Sequence, residues 1–230
     1  MGKIKMDLEF AMQNDPAATS KWTVFWTYGG FNALLRHRYA HWFYKHGCKF
    51  LAFLIAKGTR RKTGVDIHPA ADIAGGVFID HGVGVVIGET AKIGTHVVIY
   101  QGVTLGGTGK QTGKRHPTIE DNVMISSGAK VLGAITIGHD SKIGAGSVVL
   151  KDVPPHCTVV GVPGRVVKQY NERVEDLDQQ KLPDPILEEI ARLNKRIATL
   201  EDMLDVKTCR YSITNANEDA SEEDAEDKKD

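Results

Sequence analysis

A chain of 230 residues, 41% apolar and 25% charged, can bury one sizeable core, or one core and a smaller satellite. Its formal net charge of zero excludes the strongly basic footprint of a nucleic-acid binder. Three scattered cysteines, Cys48, Cys157 and Cys209, exclude a disulfide framework or a cysteine zinc site and point to a reducing cytoplasm.

The N-terminal residues lack the apolar core of a signal peptide, and no stretch approaches the ~18 apolar residues of a membrane span. Twelve of the sixteen aromatic residues precede residue 63. There, Phe31, Leu34, Leu35 and Arg38, then Phe50, Phe53, Leu54 and Lys57, follow a helical period. Asp15-Pro16 reads as an N-cap with proline at the first helical position. Gly29-Gly30, Gly47 and Gly58 read as breaks between short helices. Residues 1–62 are thus expected to form a small α-helical subdomain.

From residue 65 the period becomes six. Aliphatic residues stand at Ile67, Ile73 and Ile79, then after a two-residue shift at Ile87, Ile93, Ile99 and Leu105. A further run holds Ile119, Ile125, Val131, Ile137, Ile143 and Val149. This periodicity predicts a parallel β-helix of hexapeptide repeats over residues 63–167, a mainly β fold in which three hexads close each triangular coil. It also accounts for the 24 glycines, which relieve crowding at the bends. The runs break near Val83–Val86 and from Gly106 to Thr118; the second break reads as a loop ejected from the solenoid, a functional element. Residues 168–183 read as a linker. Asp184-Pro185 opens a helix over 184–207 with a seam of Ile186, Ile190, Leu193, Ile197, Leu200 and Leu204, suited to self-association or to packing on the body. Residues 208–230 form an acidic tail, expected to be disordered; from Glu218 onward it carries a net charge of −6.

Few residues here are equipped for chemistry. His81 follows Asp80, and Asp66 stands fifteen residues earlier, close to one coil of about eighteen. The spacing allows an Asp66–His81 hydrogen bond, the minimum equipment for taking a proton from an alcohol; otherwise His81 is a plain surface histidine. Arg115-His116, ending the loop, is either a clamp for a carboxylate or ordinary surface. The Gly106-Gly107-Thr108-Gly109-Lys110 segment lacks the spacing and following helix of a nucleoside-triphosphate site.

These segments together resemble one family. Val65-Asp66-Ile67-His68-Pro69-Ala70, Ile79-Asp80-His81-Gly82, Gly102-Val103-Thr104-Leu105-Gly106-Gly107-Thr108-Gly109-Lys110, Arg115-His116-Pro117 and Gly161-Val162-Pro163-Gly164-Arg165 are similar to the catalytic domain of the serine acetyltransferases. The resemblance extends upstream through Asp15-Pro16-Ala17-Ala18 and Gly30-Phe31-Asn32-Ala33-Leu34.

The resemblance implies a left-handed β-helix that transfers the acetyl group of acetyl-CoA to L-serine, the first step of cysteine biosynthesis. It implies His81 as general base, Asp66 as the residue orienting it, Asp15 and Asp80 for the serine ammonium, and Arg115 and His116 for its carboxylate. Coenzyme A would touch Gly107, Ser127, Lys142 and Ala145. Acetyl-CoA is then a co-substrate, with no resident cofactor and no metal in the reaction. A homotrimer with sites between neighbouring prisms is implied; the short N-terminal region points to a trimer, and the heptad helix could join two. The family's terminal isoleucine, which docks into O-acetylserine sulfhydrylase, is replaced here by Lys228-Lys229-Asp230, so docking by that route is not expected. The rival readings are a hexapeptide acetyltransferase for a sugar or homoserine hydroxyl, a zinc carbonic anhydrase, which lacks its third histidine here, and a non-catalytic scaffold.

Overall fold

The structure, a computed structural model, describes residues 2–109, 112–169 and 185–203. Lys110 of the loop, most of the predicted linker and the acidic tail lie outside the described residues. The described residues up to Pro185 form one compact unit, and those from Ile186 onward belong to a second.

In the first unit, short parallel strands stack into three faces. The first face stacks Asp66–Ile67, Val86–Ile87, Thr104–Gly106, Lys130–Leu132 and Val148–Val149. The second stacks Asp72–Ile73, Lys92–Ile93, Thr118–Ile119 and Thr136–Ile137. The third stacks Phe78–Ile79, Val98–Ile99, Met124–Ile125, Lys142–Ile143 and Cys157–Val160, and ends with Arg165–Gln169 laid antiparallel. The coils wind as a left-handed parallel β-helix. The hexad residues Ile67 through Val149 line the interior and are almost entirely buried; each such side chain contributes about 1.5–3 kcal/mol.

The stacking register measures both breaks in the repeat. Val86 stacks on Thr104 and Thr118 on Thr136, the regular 18-residue step. Asp66 stacks on Val86, a step of 20, so the first complete coil carries two extra residues beside His81. Lys92 stacks on Thr118, a step of 26, so the ejected loop adds eight.

Four helices, α1 (Lys3–Asn14), α2 (Lys21–Thr27), α3 (Gly29–Lys45) and α4 (Lys49–Thr63), precede the coils. They belong to the same compact unit as the prism. Ala11, Val24 and Phe31 pack on Phe78, Val98 and Met124, which form an apolar ladder along the outside of the third face. Gly30 makes close approach possible, because a Cβ there would overlap the Ile79 carbonyl. Asp7 on α1 is buried and accepts from the backbone N–H of Gly76 (2.9 Å) and Val77 (3.1 Å) and from Arg38 (3.0 Å). Burial raises its carboxyl above the usual range against the opposing pull of Arg38.

The predicted N-cap at Asp15 is corrected: Asp15 ends α1 instead of starting a helix. Its Oδ1 accepts from Ala17 N–H at 2.8 Å, a local turn that takes the side chain before a helix can use it. Ser20 is the cap of α2, accepting from Thr23 N–H at 3.1 Å. Gly47 and Gly64 end helices in left-handed conformations, whereas Gly58 lies inside α4 and is not a break.

In the second unit, α5 (Pro185–Met203) is the predicted heptad helix. Ile190, Leu193, Ile197 and Leu200 of its seam are about half exposed. Among the described residues no helix is long and apolar enough to cross a membrane.

Candidate active site

The predicted site residues fall into two groups at opposite corners of the first face. Around the first corner, where the third face turns into the first, stand Asp80 and His81. The two extra residues of this coil fall at this corner, and His81 takes a left-handed backbone, φ 58°, as do His96, Asn122, Asp140 and His156 at turns of another corner. Its side chain is 75% exposed, with Nε2 3.9 Å from Asp80 Oδ2. Burial raises the Asp80 carboxyl, His81 opposes the shift, and Asp15 adds to it. Asp15 reaches this corner from the end of α1, and its Oδ2 accepts a 2.6 Å hydrogen bond from the Tyr28 hydroxyl. Burial and this carboxylate push the Tyr28 phenol up to about 12. Asp80, with Asp15 beside it, forms a natural seat for a small cation.

The second group lines a cleft of about 560 Å³ on the first face, under α4. Asp66, Arg60, His68, Glu89, Arg115 and His116 all face it. Arg115 donates to Glu89, and this bond, first among the causes, holds the Glu89 carboxyl below the usual range. Gly88 leaves the room that the His116 ring fills, since a Cβ there would overlap the imidazole. Thr90 fixes that ring. Its hydroxyl oxygen accepts from the N–H of Arg115 (3.0 Å) and of His116 (3.1 Å). The hydroxyl proton is therefore free to be donated to His116 Nδ1 at 2.9 Å, and Thr90 N–H donates to the same nitrogen at 3.2 Å. Burial, then Arg115, holds His116 below the usual imidazole value. The ring is thus neutral, with its proton on Nε2 and available to an acceptor in the cleft.

Among the described residues no hydrogen bond joins Asp66 to His81. Asp66 begins a strand of the first face and pairs with Arg60 at 3.2 Å, while His81 stands beyond the corner, five residues before the strand that stacks on Asp66. Of the four positions matched to coenzyme A, Ser127 and Ala145 occupy the His81 corner on later coils, where Gly146 N–H donates to the Ser127 carbonyl at 2.9 Å. Lys142 is on the third face, and Gly107, at the base of the loop, lies against Arg115. Sequence reasoning missed Tyr28, Glu89 and Thr90. Glu89-Thr90 ends Val86-Ile87-Gly88-Glu89-Thr90, a segment that carries the family resemblance but no chemistry readable from its own residues, and the 26-residue step of the stack sets it beside Arg115-His116.

Comparison with known proteins identifies the family. Residues 116–151 match the family model described as bacterial transferase hexapeptide (six repeats). A serine acetyltransferase of Bacillus pumilus is 55% identical over 202 residues, covering 87% of this chain and 93% of that protein. The crystal structure of the Vibrio cholerae serine acetyltransferase superposes with a TM-score of 0.76 at 45% identity, covering 78% of this chain and 70% of that one. The Neisseria gonorrhoeae enzyme in complex with serine gives 0.70 at 45% identity, with 72% and 68% covered. With more than half of the residues identical across 87% of its length, the chain belongs to the serine acetyltransferases.

Proposed function

We propose that this serine acetyltransferase works by direct attack, with serine held between the two groups of residues and His81 as the base. The carrying observation is the division of the site: ammonium-binding carboxylates and the base at one corner, carboxylate-binding donors at the other. One side of the prism is about six residues long, at most roughly 20 Å, too wide for one amino acid to bridge. Around a three-fold axis, the His81 corner of one prism meets the Arg115 cleft of the next. We therefore read the enzyme as a homotrimer with shared sites, and the exposed seam of α5 as the means by which two trimers could join. The scattered cysteines, Cys48 and Cys157 both free, suit a cytoplasmic enzyme.

In this reading Asp15 and Asp80 hold the serine ammonium, which relieves their mutual repulsion. Arg115 and the Nε2–H of His116 hold the carboxylate, Arg115 as a charged fork aimed by Glu89. Asp66 orients the His81 ring; its exposed pair with Arg60 contributes at most about 1 kcal/mol, so the exchange of partners costs little. His81 takes the Oγ proton as that oxygen attacks the thioester carbonyl. The tetrahedral oxyanion collapses with cleavage of the C–S bond, and the thiolate leaves with the proton from the imidazolium. Coenzyme A lies along Gly107, Ser127, Lys142 and Ala145. No covalent acetyl-enzyme forms.

Release of free thiol from acetyl-CoA tests this reading. Release is expected with L-serine, weak or absent with homoserine and sugars, and absent without an acceptor, with intersecting double-reciprocal plots. A burst of thiol before serine is added would mark an acetyl-enzyme and overturn direct attack.

A further inference from the structure

The corner between the second and third faces holds a cluster that the acetyl-transfer site does not use. Successive coils place His96, Asn122, Asp140 and His156 there, all with φ between 55° and 57°. His156 N–H donates to the His139 carbonyl at 2.9 Å, so the last two turns are in direct contact. Three ligand-type side chains meet at this contact. His139 Nδ1 is 2.7 Å from Asp140 Oδ2, and His156 Nδ1 is 3.8 Å from the same oxygen. The two imidazoles stand edge to face, with centroids 4.8 Å apart and planes at 86°. One donor atom from each of the three residues lies within 4.8 Å of the other two.

The buried Nδ1 of His156 has no hydrogen-bond partner, which is unusual for a buried polar atom and calls for an explanation. A ligand bound through that nitrogen supplies one. We propose that His139, Asp140 and His156 form a binding site for a divalent transition metal, best matched by Zn2+. Two imidazoles and a carboxylate suit Zn2+, Ni2+ or Cu2+ and not Mg2+ or Ca2+, which take oxygen ligands. Bonds of about 2.0–2.2 Å set the ligand atoms of a tetrahedral ion about 3.4 Å apart, so closure needs side-chain shifts of about 1 Å. The Asp140–His139 hydrogen bond opens as both groups turn to the ion, and the exposed side of His139 leaves the fourth position to water. Glu120, which accepts the His139 N–H at 2.9 Å, adds negative charge beside the ion.

The site lies across the prism from the first face, so the ion takes no part in acetyl transfer. It joins Asp140 on one turn to His156 on the next, and so pins the last turn of the solenoid among the described residues. Such a link stabilises the end of the helix by an amount that rises with the logarithm of the free metal concentration once that exceeds Kd.

Zn2+ binding to the untagged, chelator-stripped full chain tests the site, by equilibrium dialysis and by the metal dependence of thermal unfolding. The proposal predicts one tightly held Zn2+ per chain and a midpoint that rises with Zn2+. His156→Ala is expected to abolish retention, and His139→Gln, at a half-exposed position where folding is not at risk, to weaken binding about tenfold or more. His81→Ala is expected to leave binding unchanged. No retained zinc, or one equivalent retained by both His139→Gln and His156→Ala, would overturn it.

Discussion

Replacing His81 by alanine is expected to lower kcat for serine acetylation by about 10²–10⁴-fold, the usual worth of a positioned base. The serine KM should change little, because Asp15, Asp80, Arg115 and His116 remain. The fold should survive, because the His81 side chain is 75% exposed and contributes little to packing. What the structure invests in His81 is its position. Two residues are added to one coil, and a left-handed backbone, φ 58°, is held next to Gly82, φ 77°. Thiol-release kinetics on His81→Ala check the expectation, and a kcat close to the wild-type value would remove His81 from the chemistry.

The largest effect on stability is expected at Asp7. This carboxylate is 1% exposed and ties α1 to the coils through two backbone N–H groups and Arg38. Asp7→Ala leaves the Gly76 and Val77 amides without this acceptor and the Arg38 charge without its counter-ion, although Arg38 keeps the Ile73 and Ala74 carbonyls; breaking a buried pair costs about 3–5 kcal/mol. That is a large part of the roughly 5–15 kcal/mol that holds a domain together. Asp7→Asn keeps one acceptor oxygen and should lose less. Because α1 ends at Asp15, the serine KM of Asp7→Ala should rise at temperatures below global unfolding. Urea midpoints for the two variants, with KM measured alongside, check this; a loss below about 1 kcal/mol would mean that α1 is held by the apolar ladder alone.

The prism was legible because its rule is local. One aliphatic side chain fills each interior corner, so the six-residue period, the two-residue shift and the ejected loop could all be counted, and the stacking steps of 20, 18 and 26 residues follow from that count. The helical region was legible only in class. Asp15-Pro16 carries a helix-start signal, but the carboxylate is taken by Ala17 N–H and Tyr28, contacts that no local pattern encodes. The ladder of Phe78, Val98 and Met124 likewise reads as three unrelated strand residues until the stack aligns them. Within the site, the motif residues could be named but not their grouping. Asp66 and His81 are near in sequence and about one coil apart, yet Asp66 pairs with Arg60 on the first face while His81 stands beside Asp80 beyond the corner.

Mixed oligomers test that division most directly. His81→Ala and Arg115→Ala each destroy one half of every site, and neither variant alone should turn over serine at more than a trace of the wild-type rate. Co-assembled in equal amounts, they should regain activity at about a quarter of the interfaces, those where an intact His81 corner meets an intact Arg115 cleft on the neighbouring chain. Recovery of that size is the result the account predicts. Mixed oligomers of verified composition that stay inactive would contradict it, and would place the whole site on a single chain.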